Sequence, residues 1–267
     1  MKENIIRGLS GIMYVSILVV SIFFSEFAFT TLFLLFGVIC LRELQRLLHL
    51  KSYLGYILLF GFFWVFSYAR WSPYGTQALL LITIFVNLFL VKDLIIVHKI
   101  PLFEKKKYVI IIFYLITSLI FLTLIPSYTG DFTPELVVGI FSLIWINDTF
   151  AYLVGKNFGK NKLFERISPK KTIEGFLGGL IFSAAGGYLV HFYTHLLDVY
   201  SWIGLAIILS IFGTLGDLIQ SKFKRQAGVK DSGRLMPGHG GLLDRLDSII
   251  FASPFVYAYL QLLNYVS

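Results

Sequence analysis

Between Gly216 and Ser248 the chain reads GDLIQSKFKRQAGVKDSGRLMPGHGGLLDRLDS, its densest concentration of groups that could do chemistry. The stretch holds four of the fifteen carboxylates (Asp217, Asp231, Asp244 and Asp247), six of the twenty-three Lys and Arg residues, and five glycines beyond Gly216. Asp244 and Asp247 are spaced i,i+3 and so share a helix face. If their helix packs beside the one carrying Asp217, three carboxylates meet. Uncompensated, they repel one another, and a divalent cation resolves the repulsion. Oxygen-only donors that share the ion with substrate phosphates suit Mg²⁺ rather than Zn²⁺. Acids in a first helical turn also suit the helix dipole on their own. That plainer reading leaves Asp217 unexplained, and with it Asp148 in the apolar run WINDTFAYLVG.

Around these acids lie partners for phosphate. Lys222, Lys224, Arg225 and Lys230 read as one basic loop, with Lys224 and Arg225 nearest the chemistry. Gly238, Gly240 and Gly241 bracket His239 just before a helix start, where backbone N–H groups can approach an anion at the positive helix end. Ser221 either bonds a phosphate oxygen or caps a helix, and His239 shapes the loop or bonds phosphate rather than acting as a base. A second polar stretch, residues 155–175, contributes Lys171 and Thr172, and the glycines after it (Gly178, Gly179, Gly186, Gly187) read as helix-packing positions. A metal, a basic loop and a glycine-rich helix start point together to phosphoryl or nucleotidyl transfer. His191 and His195 also have metal-pair spacing, but they fall at the far end of their span and read as interfacial polar residues.

The elements that must position these groups are membrane helices. Of 267 residues, 57% are hydrophobic and 14% charged, with a mean hydropathy of +0.79; a soluble domain carries roughly 25% charged residues. Apolar runs fall near 8–24, 27–41, 54–70, 76–91, 108–126, 135–155, 173–195, 201–220 and 246–265. They lack strand alternation, so the chain is expected to be one all-α domain, 1–267, of about nine transmembrane helices. Residues 1–130 would form a scaffold with possible dimer contacts, and 135–265 the catalytic helices and loops. Amphipathic ends at Arg42–Leu50 and Lys92–Ile100 would lengthen the short second and fourth runs. With the amino terminus cytosolic and the carboxyl terminus external, 22 of the 23 Lys and Arg residues fall inside and only Arg70 outside, as positive charge requires. The net charge of +8 is therefore topology and attraction to anionic lipid, not nucleic-acid binding. Lys2 and Arg7 precede the first run as in a signal peptide, but no small-x-small cleavage site follows, so that span is expected to be retained. The one cysteine, Cys40, cannot form an intramolecular disulfide and reads as packing.

Two spaced motifs carry a resemblance. The first is S-x-x-K-R-x-x-x-x-K-D-S followed by P-G-H-G-G-x-x-D-R-x-D, from Ser221 to Asp247, with Gly216-Asp217 ahead of it. The second runs from Asp148 through Tyr152, Gly155, Gly159, Lys160, Lys162, Ser168, Pro169, Lys171 and Thr172 to Gly175. Together they resemble the phosphatidate cytidylyltransferase (CDP-diacylglycerol synthase) family over residues 140–250; Met236, where a branched aliphatic residue is expected, is a mild departure. The resemblance implies CTP plus phosphatidate giving CDP-diacylglycerol and pyrophosphate in a bacterial-type cytoplasmic membrane. It implies Asp217, Asp244 and Asp247 as Mg²⁺ ligands, a second cation such as K⁺, and a homodimer. Lys224 and Arg225, with Ser221, Lys222, Lys230, His239, Gly240, Gly241, Asp148, Lys171 and Thr172, are the residues expected to meet substrate. The nearest rival is a CTP-using enzyme acting on another lipid phosphate or a polyprenol. A transporter would place its charges at mid-membrane in paired repeats, which the sequence lacks.

Overall fold

The computed structural model describes residues 2–266 apart from Pro237 and His239, with side chains from Gly8 to Tyr265. The expectation for His239 therefore lies outside the described residues. Among these there are nine helices: α1 (Lys2–Phe24), α2 (Glu26–Leu47), α3 (Leu54–Tyr68), α4 (Pro73–Ile96), α5 (Glu104–Ser127), α6 (Pro134–Phe158), α7 (Ile173–Thr194), α8 (Val199–Gln226) and α9 (Leu243–Val266). A short antiparallel hairpin, β1 (Lys162–Phe164) and β2 (Ser168–Thr172), joins α6 to α7 in an otherwise helical chain.

Helices α2 and α4 to α9 are long and apolar enough to cross a membrane. The other two fall short of a full span over their apolar parts, Gly8–Phe24 and Leu54–Tyr68. The second, at ~1.5 Å per residue, reaches roughly 22 Å of the ~30 Å of hydrocarbon. The chain is a multi-pass membrane protein, with seven of the nine expected spans met by length and hydropathy. As expected, α2 and α4 extend beyond their apolar runs into polar ends.

Local chemistry sets the helix starts. Ser25, Ser72 and Thr172 accept from the amides of Ala28, Gly75 and Gly175, respectively, and Pro73 and Pro134 occupy first turns. Asp198 caps α8 by accepting from Tyr200 N at 2.8 Å and Ser201 N at 3.0 Å. The Ser201 hydroxyl and these amides hold its carboxyl below the ordinary range.

The core is centred on α5, which is almost wholly enclosed from Ile110 to Ile125 and packs against α2, α3, α4 and α9. Tyr114 of α5 meets Phe223 of α8 and Phe251 of α9, so the two halves of the chain share one core. Outward faces of α1, α3, α4 and α7 carry exposed Leu, Ile and Phe, as lipid contact requires.

The most extensive helix contacts join α6 to α7, α7 to α8, and α8 to α9. Small residues make these close. A Cβ at Gly178 would stand 2.6 Å from Val154, and one at Gly187 2.9 Å from the Trp202 carbonyl, so the α7 glycines are packing positions. At the α8–α9 crossing, a Cβ at Gly216 would lie 2.5 Å from Phe251 Cβ and 2.7 Å from the Asp247 carbonyl. Gly216→Val is therefore expected to push the two helices apart beside Asp217 and Asp247, costing about 1–3 kcal/mol or more. Thermal unfolding of the detergent-solubilised protein checks this, and an unchanged Tm would contradict the packing.

The four internal polar segments lie at one end of the bundle. Lys222 bonds the Asp93 carbonyl, Gln226 bonds Ile100, Arg166 reaches Val97, and Ser232 reaches Glu43. At the other end, Glu26 takes Arg70 and Ser127. The separation of charge seen in the sequence is thus a separation of the two ends.

Candidate active site

The site sits where the last turns of α6 and α8 meet the first turns of α7 and α9. Helix α8 does not stop at the end of its apolar run; it continues to Gln226. Asp217, Ser221 and Lys224 consequently stand on one helical face, at i, i+4 and i+7. Asp217 Oδ1 accepts from Ser221 Oγ at 3.1 Å, and its Oδ2 pairs with Lys171 Nζ, from β2, at 2.6 Å. Lys224 Nζ donates to Gln220 Oε1 at 3.1 Å and to Asp244 Oδ1 at 2.8 Å. Asp244 Oδ2 accepts from Ser232 N at 2.8 Å and Gly241 N at 2.9 Å. Asp247, one turn further along α9, is buried and, among the described residues, accepts from its neighbour Ser248, N–H at 2.8 Å.

A cavity of about 430 Å³ opens between these elements. Asp148, Asp217, Asp231, Asp244 and Asp247 line it together with Lys170, Lys171, Lys224 and Arg245. Acids and bases from three helices, the hairpin and the loop before α9 thus converge on one polar chamber of a size that takes a small ligand.

The structure gathers some expected residues here and sends others elsewhere. Asp148, Asp217, Asp244, Asp247, Lys171, Lys224 and Thr172 all line the cavity. The Thr172 hydroxyl is spent on Gly175 N, so this residue builds the α7 start. Ser221 supports Asp217. Of the glycine amides expected to cradle an anion, that of Gly241 is donated to Asp244, and the amides of Leu242 and Leu243 that follow go to Glu43. Gly240 is needed because φ is +87° and a Cβ would sit 2.8 Å from Asp244 Oδ2.

Lys222, Arg225 and Lys230 do not line the cavity. Lys222 is buried on the opposite side of α8, and its Nζ donates to the carbonyls of Asp93 (2.7 Å), Leu94 (3.1 Å) and Val97 (2.6 Å). These carbonyls lie in the last turn and C-cap of α4, where a cation supplies donors that the helix end lacks, although the Asp93 carbonyl also takes the Val97 amide at 3.4 Å. Lys222→Met should therefore cost about 1–3 kcal/mol of stability while leaving turnover per folded molecule unchanged. Unfolding and activity measured on one preparation check this; a selective loss of turnover would return Lys222 to the site. Arg225 is exposed and bonds the Val229 carbonyl at 3.0 Å, and Lys230 is exposed.

The donor set fits Mg²⁺, since five carboxylates and no thiol or imidazole line the cavity among the described residues. The three expected ligands are not pre-assembled, however. Among the described residues no three acidic, His or Cys side chains stand close enough to share one ion. Lys171 and Lys224 instead serve as counter-ions to Asp217 and Asp244.

The sequence gives no separate role to Glu43 or Asn147, and it shows Arg245 only as a motif position. Glu43 was visible as an acid in an apolar helix, but Arg42 and Arg46 beside it gave it the look of an amphipathic end. His191 and His195 lie at the end away from the cavity; His191 Nδ1 bonds the Leu197 carbonyl at 2.7 Å and His195 closes α7.

A helical bundle of this kind, with several spans and a chamber lined by acids and bases at one end, is a multi-pass membrane protein with a charged cavity. Comparison with known proteins makes this specific. The chain belongs to the cytidylyltransferase family, whose model matches residues 5–263. It is 32% identical to the phosphatidate cytidylyltransferase of Bacillus subtilis (strain 168) over 271 residues, covering 99% of each chain. It is 52% identical over 117 residues to the phosphatidate cytidylyltransferases of Staphylococcus aureus (strain COL) and Staphylococcus haemolyticus (strain JCSC1435). Those matches cover 43% of this chain and 45% of each staphylococcal protein, less than half their length.

Proposed function

We propose that the chain transfers the cytidylyl group of CTP to phosphatidate, giving CDP-diacylglycerol and pyrophosphate. The observation that carries the reading is the single cavity in which Asp148, Asp217, Asp244 and Asp247 meet Lys171 and Lys224, in a chain matched along its length by a phosphatidate cytidylyltransferase.

An oxygen of the phosphatidate monoester forms a bond to the α-phosphorus of CTP. The bond from that phosphorus to the bridging oxygen breaks, and its electron pair leaves with pyrophosphate. The attacking monoester is already anionic at neutral pH, so no side chain need remove a proton. Asp217, Asp244 and Asp247 are the residues that would hold Mg²⁺, Asp247 being the least committed to other partners. Bound there, the ion supplies neutralisation of the charge on the α-phosphate and the leaving group. Lys171 and Lys224, now paired with carboxylates, are placed to take nucleotide phosphates in exchange, with Arg245 at the cavity wall.

The cavity lies at the basic end of the bundle. Read with the positive-inside rule, that end faces the cytosol, where CTP is found, and the membrane is the bacterial cytoplasmic membrane. The lipid phosphate would approach at headgroup level with its acyl chains left in the bilayer, so acyl selectivity should be loose. A homodimer and a second, monovalent cation rest on the family resemblance; light scattering of the solubilised protein and a K⁺ titration address them.

The test is purified protein with radiolabelled CTP, phosphatidate and Mg²⁺, scored for labelled lipid, beside a panel of other lipid phosphates and a polyprenol phosphate. Label in the phosphatidate product supports the reading. Label only with another acceptor would replace the substrate, and flux without CTP turnover would replace the activity.

A further inference from the structure

One buried charge next to the cavity has no part in the mechanism above. Glu43, on α2, is 4% exposed. Its Oε2 accepts from Ser232 Oγ at 2.9 Å and Leu243 N at 2.9 Å, and its Oε1 accepts from Leu242 N at 3.2 Å. These donors lie 189 to 200 positions away in sequence. Gly233 and Gly241 close onto the carboxylate so tightly that a Cβ at either would overlap it. A buried carboxylate persists only when its oxygens are hydrogen-bonded, and here three donors and the positive end of a helix supply that.

The amides of Leu242 and Leu243 are the first unpaired N–H groups of α9. Leu242 immediately precedes that helix and has no side-chain acceptor with which to cap it. The carboxylate from α2 takes the capping role that a local Ser, Thr or Asp usually fills. Through Ser232 it also ties down the start of the loop that leads to α9. Asp244 and Asp247 are the second and fifth residues of that helix, so its first turn sets where both stand.

We infer that Glu43 is a positioning residue of the transferase site. It caps α9 from a distant helix and holds Ser232 and Leu242–Leu243 together, and in doing so it places Asp244 and Asp247. This assigns a part in catalysis to the amino-terminal helices. It rests on the proposed role of those two aspartates.

The test compares Glu43→Gln, Glu43→Asp and Gln45→Ala in the full-length solubilised protein. Gln45 is a buried neighbour on α2 whose side chain donates to the Ser52 carbonyl at 2.8 Å, and it controls for general destabilisation. Glu43→Gln turns an amide NH₂ toward groups that are themselves donors. Hydrogen exchange across residues 229–245 should quicken at least tenfold, and the Mg²⁺ concentration for half-maximal activity should rise at least tenfold. Glu43→Asp should fall between Glu43→Gln and the wild type, and Gln45→Ala should change neither quantity. If Glu43→Gln does not fold, Ser232→Ala removes one donor and is read in the same two assays. The inference is overturned if exchange and Mg²⁺ dependence both stay within twofold of wild type, or if Gln45→Ala changes them equally. Asp247→Asn is measured alongside. If that variant keeps normal activity, the ion assignment fails on its own account, and the exchange comparison still decides whether Glu43 holds the loop.

Discussion

Asp247→Asn is expected to lower kcat by about 10³-fold, the upper range for removing one side chain that stabilises transition-state charge, without loss of thermal stability. The two effects separate because of where the side chain sits. Asp247 is buried, and its hydrogen-bond partner is the adjacent Ser248. Asparagine keeps the volume and an oxygen for that bond. Asp148, Asp217 and Asp244 line the same cavity, so removing one negative charge relieves repulsion in the free protein. The cost should appear only when the cation and nucleotide bind. Mg²⁺ should therefore raise the Tm of the wild type and not that of the variant, since a ligand stabilises only the state that binds it. Unfolding with and without Mg²⁺, run beside CDP-diacylglycerol formation, makes the comparison. A kcat within tenfold of wild type would remove Asp247 from the proposed ion site.

Lys224→Met is expected to fail in the opposite way, losing stability and activity together. The Lys224–Asp244 pair is 2.8 Å long, with side chains only 10% and 6% exposed. Taking one partner from a buried pair leaves an uncompensated charge, at about 3–5 kcal/mol. Asp244 also holds the amides of Ser232 and Gly241, so the loop loosens with it. Adding Asp244→Asn removes the stranded charge, and the double variant should recover much of the stability and none of the activity. Contacting residues in one network should give this kind of non-additive result. Equal, additive losses in the two single variants would show that the pair is not coupled.

The basic residues of the site show how a correct motif can be read with the wrong geometry. Lys222, Lys224, Arg225 and Lys230 read as one loop because the apolar run ends at residue 220. Helix α8 continues to Gln226 instead, and at about 100° per residue Lys222 and Lys224 point to nearly opposite sides. One meets Asp244 and the other the end of α4. Helical phase would have separated them had the helix been extended through its polar turns. For the glycine-rich helix start the difficulty was of another kind. Its amides did need an acidic partner, and the protein supplies two of its own, Asp244 and Glu43.

From residue order alone came the membrane class, the run of apolar helices, the acids at Asp148, Asp217, Asp244 and Asp247, and the family. Hydropathy sums over neighbours, and a charge inside an apolar run stands out locally, so neither needs knowledge of distant contacts. Tertiary structure alone decided which cation faces which acid, as with Lys171 of the hairpin against Asp217 of α8, and that α2 supplies the cap for α9. Those choices depend on helix phase and on pairings between segments nearly 200 residues apart, and local sequence carries no record of which distant partner will satisfy a buried charge.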